Sequence, residues 1–553
     1  LDGWIQAEVP GVVHIDLIRN GVIPDPFYGV NEDSVRWVED VEWWYRKDFD
    51  LPDELSKSER IELIFEELNT IATIWVNGVR LGEAYNMFTP WIFDATKILK
   101  PGRNTVVVRF KPPSKYADEL PDRYRGKYGI LNSAFHRSRP YIRKAQYSFG
   151  WDWGPRLPTV GIWRSVKLIG YDNGRLGYIA ALPLEVSRDR AILNLTAEVY
   201  ACRGFRARVR FIVEGYGSRI ESYVEADVKP GRNDISCIVE LDKPELWWPN
   251  GYGSQKLYRM TVELYADGLI LDKAYTRIGV RKVELVQEPG GKGRSFIFKI
   301  NGTPIFCKGA NRIPADSFLP RVSRERYRRL LEMAREVGMN MLRVWGGGIY
   351  EDDYFYDLCD ELGIMVWQDF MYACAEYPEE DWFLKEAEEV VRRLRIHPSI
   401  VLWCGNNENQ WIYYMAWRNR GRLLGLPIYS EILPRVCGRL DPTRPYWPSS
   451  PYGGDDPNSP FEGDRHNWDV WSRWYNYERY LEDEGRFISE FGWQAPPILK
   501  LLRRYLGSLD VKPYSRLVEA HEKQIEGIER LYDSYRHTIQ FQTILNSSRS
   551  TVS

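Results

Sequence analysis

A chain of 553 residues with 75 basic and 77 acidic side chains is too long for one ordinary core and too evenly charged to seek nucleic acid. No basic stripe interleaves with aromatics, and no apolar run reaches the about 18 residues that a membrane helix needs. About two to four soluble domains are expected, with neither nucleic acid nor membrane as partner.

Residues 1–168 read as all-β. Trp43–Phe49, Ile61–Phe65, Ile71–Val76 and Thr105–Phe110 are short β-branched and aromatic runs, separated by turn signals such as Asn77-Gly78 and Pro101-Gly102. Strands of this kind must bury one face against another sheet, so a β-sandwich is expected. A second all-β stretch spans 169–284, where Ala191–Tyr200, Arg208–Val213 and Leu257–Tyr265 alternate at period two; its length suits an immunoglobulin-like sandwich. From 285 to 553 strands alternate with helices. Ile305–Gly309 precedes a helix near 324–337, Asn340–Trp345 one near 352–362, and Ile364–Phe370 one near 383–395, before the strand Ile400–Cys404. That order predicts parallel strands with right-handed crossovers, and polar residues just after each strand predict a (β/α)8 barrel with its site at the strand C-termini.

Two glutamates end such strands: Glu408, in Val401-Leu-Trp-Cys-Gly-Asn-Asn-Glu408, and Glu490, in Arg486-Phe-Ile-Ser-Glu490. A carboxylate at the end of a buried strand is costly to desolvate and needs either hydrogen bonds or a chemical reason. A pair of them, facing each other across a barrel mouth, suits glycoside hydrolysis, in which one carboxyl donates a proton and the other attacks or stabilises a cation. The residues leave the assignment of roles open; Glu490 is provisionally the nucleophile and Glu408 the acid/base. Arg343 could keep the nucleophile ionised, or be a structural salt bridge, and Asn407 offers an amide to a sugar 2-hydroxyl. Trp345, Trp403, Trp468 and Trp493 are either core or sugar-stacking residues, and His466 in Gly463-Asp-Arg-His-Asn-Trp468 is expected to contact substrate. Gly346-Gly-Gly348 lacks the Lys-Ser/Thr of a phosphate loop and is expected to be a turn that brings backbone near the site. Asp352-Asp353 and Asp455-Asp456 suit solvated helix-start and loop carboxylates better than a metal. The seven cysteines form no C-x-x-C, and the six histidines show no ligand spacing, which argues against disulfides or zinc and points to a reducing, cytoplasmic setting.

These motifs resemble those of glycoside hydrolase family 2, and within it the β-mannosidases. Phe306-Cys-Lys-Gly-Ala-Asn-Arg-Ile-Pro-Ala-Asp-Ser-Phe318, Leu342-Arg-Val-Trp-Gly-Gly-Gly348, Trp403-Cys-Gly-Asn-Asn-Glu408 and Ser489-Glu-Phe-Gly492 are similar to the family's barrel motifs, and Gly150-Trp-Asp-Trp-Gly-Pro155 to a segment typical of β-mannosidases. The resemblance implies a jelly-roll-like, sugar-binding-like first sandwich. It also implies a retaining exo-hydrolase that removes terminal non-reducing β-D-mannose from β-mannosides or manno-oligosaccharides, with no metal or organic cofactor. It assigns Glu408 as acid/base, Glu490 as nucleophile and Asp152 as a substrate contact from the first domain; from the residues alone Asp152 is a turn residue between two Trp. Alternatives are another family 2 enzyme, a β-galactosidase or β-glucuronidase, or a non-catalytic or split fragment. Asn467 stands where many relatives carry Tyr. Leu1 in place of Met suggests a fragment or a processed chain. No match to the family's eighth strand is found before the chain stops in Thr543–Ser553, so an incomplete barrel is expected. Its open edge would associate into a homo-oligomer or with a chain that completes it.

Overall fold

A computed structural model describes residues 3–120, 129, 136–418, 421–509 and 511–536. The first domain is an antiparallel sandwich. One sheet runs Trp43–Leu51, Gly102–Phe110, Ala72–Val76, Val79–Ala84, and the facing sheet runs Trp91–Asp94, Arg60–Phe65, Val166–Tyr171. The Asn77-Gly78 signal is a two-residue hairpin turn, with φ of 51° and 82° at the two residues and Val76 paired to Val79. Both turn residues therefore sit in the left-handed region that such a turn requires.

The second domain packs a three-stranded sheet (Gly174–Val186, Arg190–Ala201, Gly231–Asp242) on a four-stranded one (Ser218–Val228, Phe205–Gly215, Tyr258–Ala266, Leu269–Ile278). This is the strand division of an immunoglobulin-like sandwich. Alternation in Arg190–Ala201 buries Ala191, Leu193, Leu195, Ala197 and Val199 in one core with Val209, Phe211 and Val262 of the other sheet.

The barrel strands, numbered here from its first, are β1 (Gly309–Arg312), β2 (Met341–Val344), β3 (Met365–Asp369), β4 (Ile400–Cys404), β5 (Tyr446–Trp447), β6 (Arg465–Asn467) and β7 (Ile488–Phe491). β1 to β5 are parallel in sequence order, as are β6 and β7. Helices α1 (Arg324–Glu336), α2 (Asp353–Leu362) and α3 (Asp381–Leu394) lie within two residues of their expected bounds. Side chains explain the first two starts: Ser323 accepts from Arg326 N, and Asp352 from Tyr354 N, so the Asp352-Asp353 pair opens a helix, as expected. The first barrel strand is displaced from expectation. Thr303–Ile305 belongs to a hairpin with Ile297–Ile300, and the parallel strand begins only at Gly309. That hairpin plugs the barrel floor, where Phe296, Phe298 and Ile300 pack on Met365, Trp367, Leu402 and Trp447.

Between β7 and β1, Asn311 Nδ2 donates to Ser489 O at 3.0 Å. The segment Thr543–Ser553, in which no eighth strand is expected, lies outside the described residues. Among the described residues no helix is long and apolar enough to cross a membrane.

The first domain is welded to the barrel. Arg143, fully buried, donates from Nε and Nη2 to the two oxygens of Glu386 on α3, at 2.8 and 2.6 Å, and from Nη1 to Met371 O at 2.9 Å. Its guanidinium also lies 4.2 Å from the Tyr372 ring centre. Removing one partner strands a buried charge, so Arg143→Ala is expected to cost about 3–5 kcal/mol. Chemical denaturation should show it, with the double variant Arg143→Met/Glu386→Leu recovering much of the loss. Additive losses in the double variant would contradict the pairing.

Candidate active site

The strand ends converge as the barrel dictates. Register sets His466 beside Glu490 across β6 and β7, and Asn311 beside Arg343 across β1 and β2. Glu408 follows β4 after the Gly405-Asn-Asn turn, at φ +64°, and its N–H donates to Ser450 O at 2.8 Å. A non-glycine residue in this region is strained, and the surrounding bonds hold it there. Gly346 makes the approach its motif suggested: its N–H donates to Asp369 Oδ2 at 3.0 Å, and a Cβ there would meet Tyr372 O at 2.7 Å.

Glu408 and Glu490 are both buried, and they form a triad with His466 in which one ligand atom from each lies within 4.8 Å of the others. His466 is 1% exposed and lies behind the carboxylates, with Nδ1 at 2.8 Å from Glu408 Oε1 and 3.3 Å from Glu490 Oε2, and Nε2 at 3.0 Å from Ser450 Oγ. Both ring nitrogens thus face protein, and burial lowers the imidazole to about 4, so it is neutral near pH 7. Arg343 donates to Glu490 Oε1, to Asp369 Oδ2 at 2.6 Å and to Asn407 Oδ1 at 2.9 Å. Burial raises both glutamates. The Arg343 charge pulls Glu490 back, while the Cys374 thiol leads the groups that lower Glu408. Of the two glutamates Arg343 contacts only Glu490, which favours the charged form there and makes Glu408 the better holder of a shared proton.

A cavity of about 1270 Å³ opens onto the pair. Among its lining are the expected Asp152, Arg343, Trp345, Asn407, Trp468 and Trp493. Asp152 faces the cavity; desolvation between the two domains' side chains and then the charge of Glu408 raise its carboxyl to about 6. Trp345 packs edge-on against Trp151 at 4.7 Å and Trp153 at 5.6 Å, so it serves the domain contact as well as the cavity wall. Trp403 is core, bonded through Nε1 to Asp441 Oδ2 at 2.9 Å. Asn467 turns away from Glu490 and donates to Asp483.

Asp369, the polar residue that ends the third strand, is wholly buried and anchors Arg343. Sequence reasoning missed other groups. Cys374 donates to Glu408 Oε2 at 3.2 Å, and nothing in its sequence marked it. Residues 521–524, at the C-terminal end of the short helix Arg516–His521, form a polar wall with Gln494, and no motif announces them. Among the described residues two clusters have donor atoms close enough for a metal ion. One is Glu408, His466 and Glu490; the other, Asp357, Asp360 and His397, is already satisfied by a His397 Nδ1–Asp360 Oδ2 contact of 2.7 Å and by Arg277 on Asp357.

Three domain families match in succession: a glycosyl hydrolase 2 galactose-binding domain-like module over residues 2–164, glycosyl hydrolases family 2 over 180–281, and the family 2 TIM barrel domain over 294–491. The chain is 40% identical over 552 residues to a β-mannosidase B of Thermothelomyces thermophilus, covering 95% of this chain and 63% of that protein. It is 37% identical over 535 residues to a β-mannosidase of Capra hircus, covering 90% and 60%. A crystal structure of a β-D-mannosidase from Dictyoglomus thermophilum superposes with TM-score 0.92 at 50% identity, covering 96% of this chain and 66% of that one. An exo-chitosanase of Amycolatopsis orientalis, at TM-score 0.63 and 23% identity over 81% of this chain and 49% of that one, shares the fold. The chain thus spans less than two thirds of the length of these relatives.

Proposed function

This chain belongs to glycoside hydrolase family 2, and on that premise we propose that it hydrolyses terminal, non-reducing β-D-mannosides with retention of configuration. Glu490 attacks the anomeric carbon as the bond to the leaving oxygen breaks, and the proton on Glu408 passes to that oxygen. Glu408 then takes a proton from water, whose oxygen displaces Glu490. The observation that carries this reading is the carboxyl pair, with one oxygen of each within 4.8 Å of the other and Arg343 in contact with one member alone. Retention needs a separation of about 5–5.5 Å, whereas inversion needs about 6.5–9.5 Å to admit water. The relatives named β-mannosidases favour mannose over galactose or glucuronic acid.

A panel of 4-nitrophenyl β-glycosides tests the choice of sugar. The mannoside is expected to exceed galactoside and glucuronide in kcat/KM by about 10²-fold or more. A preference for either of the others would overturn it.

Apolar Phe306, Phe491 and Trp493 are exposed around β7 and β1. We propose that this edge is covered in the working protein, by a completing strand or a second copy; light scattering of the purified chain reads the second case. Seven cysteines without a disulfide fit a cytoplasmic setting.

A further inference from the structure

Glu408 and Glu490 are linked twice. His466 spans them on one side. On the other, Arg343 contacts Glu490 and donates to Asn407 Oδ1 at 2.9 Å; Asn407 Nδ2 donates to Cys374 Sγ at 3.4 Å; and the Cys374 thiol donates to Glu408 Oε2 at 3.2 Å. We infer that Cys374 is a positioning residue for Glu408: with Asn407 it ties the acid/base to the arginine that contacts the nucleophile. This rests on the reading of Glu408 as acid/base.

The backbone around the thiol is fixed from two directions. Cys374 N donates to Asn407 O at 3.0 Å, and its carbonyl accepts from the buried Arg139 Nη2 at 2.8 Å. Arg139 also donates to Ala373 O at 3.0 Å, so a first-domain side chain holds the segment that presents the thiol. At φ +48° a glycine would fit more easily, yet a side chain is kept. The thiol is 2% exposed and is absent from the cavity lining, so it acts through Glu408 and not on the sugar. Burial, and then the charge of Glu408, push its ionisation far up, so it remains a donor.

The titratable and charged groups around Glu408 are Cys374, His466, Glu490, Arg343 and, from the first domain, Asp152. Of these, Cys374 donates to Oε2, and His466 faces Oε1. A donor to a carboxylate stabilises its charged form and lowers its pKa; losing the donor raises it.

The test is the pH dependence of kcat/KM for an alkyl β-mannoside, whose leaving group needs the proton of Glu408, with the full chain. In Cys374→Ala the basic limb, which reports the acid in the free enzyme, is expected to move up by about half a pH unit, about threefold in dissociation constant. In Cys374→Ser, which restores a donor, the limb should return to or fall below the wild-type position. An infrared titration taken as the difference from Glu408→Gln follows the same carboxyl without turnover. A limb and carboxyl titration unmoved in folded Cys374→Ala overturns the inference. Should Cys374→Ala fail to fold, Cys374→Gly, which suits φ +48° and also lacks a donor, takes its place under the same criterion. If the basic limb survives unchanged in Glu408→Gln, the acid/base reading itself has failed, which is a different result from an unmoved Cys374 series.

Discussion

Glu490→Gln is expected to lower kcat for mannoside hydrolysis by about 10⁴-fold or more, with folding and KM little changed. The scale is that of removing the nucleophile from a residue set that acts as a unit. The amide is nearly isosteric and can still accept from Arg343, but it cannot form the glycosyl-enzyme ester. The variant also leaves Arg343 with Asp369 as its one anionic contact, since the salt bridge to Glu490 is lost. A melting curve should therefore accompany the kinetics, so that lost charge balance is not read as lost chemistry. Undiminished turnover would remove Glu490 from the mechanism.

Glu408→Gln should show a different pattern, because the leaving group decides how much a proton matters. For 4-nitrophenyl mannoside, whose leaving group departs as a stable anion, kcat/KM should fall only modestly. For a disaccharide or an alkyl mannoside it should fall by about 10²- to 10⁴-fold, the usual span of general acid catalysis. The comparison belongs on kcat/KM, which reports glycosylation alone; kcat also contains the second step, where Glu408 serves as base. Equal losses across a leaving-group series would argue against proton donation by Glu408. The geometry predicts the asymmetry between the two glutamates, since only Glu490 has an arginine in contact and only Glu408 a thiol.

The architecture was legible because each domain obeys one period. Alternation in Ala191–Tyr200 and the helix near 324–337 were both readable, since a buried face leaves an imprint at the spacing of its backbone. The displaced first barrel strand shows where that fails. Ile305 and Gly309 lie in one short run, and local sequence does not say whether it folds back as a hairpin or goes forward into the barrel. At the site, Glu408, Glu490, Arg343 and Asn407 were found through strand ends and spacing, and the structure gathers them around one cavity. Asp152 was visible as a site residue only through the family resemblance, because a turn carboxylate between tryptophans looks the same wherever the turn points. Cys374 and residues 521–524 left no mark at all. Their roles come from which distant segment they meet, and no local pattern records that.

The buried Arg143–Glu386 pair joins residues 243 positions apart in the chain. A ribosome adding about 5–20 residues per second makes the sandwich first and supplies Glu386 only about 12–50 seconds later. Once its last strand, Val166–Tyr171, has been made, Arg139, Arg143 and the apolar surface around them are on a finished domain with nothing to dock against for the rest of that interval. Synthesis speed, chaperone supply and temperature should therefore govern the yield of active protein from living cells more strongly than they govern the stability of the folded molecule. Slower growth or added chaperones should raise the active fraction without altering the melting point.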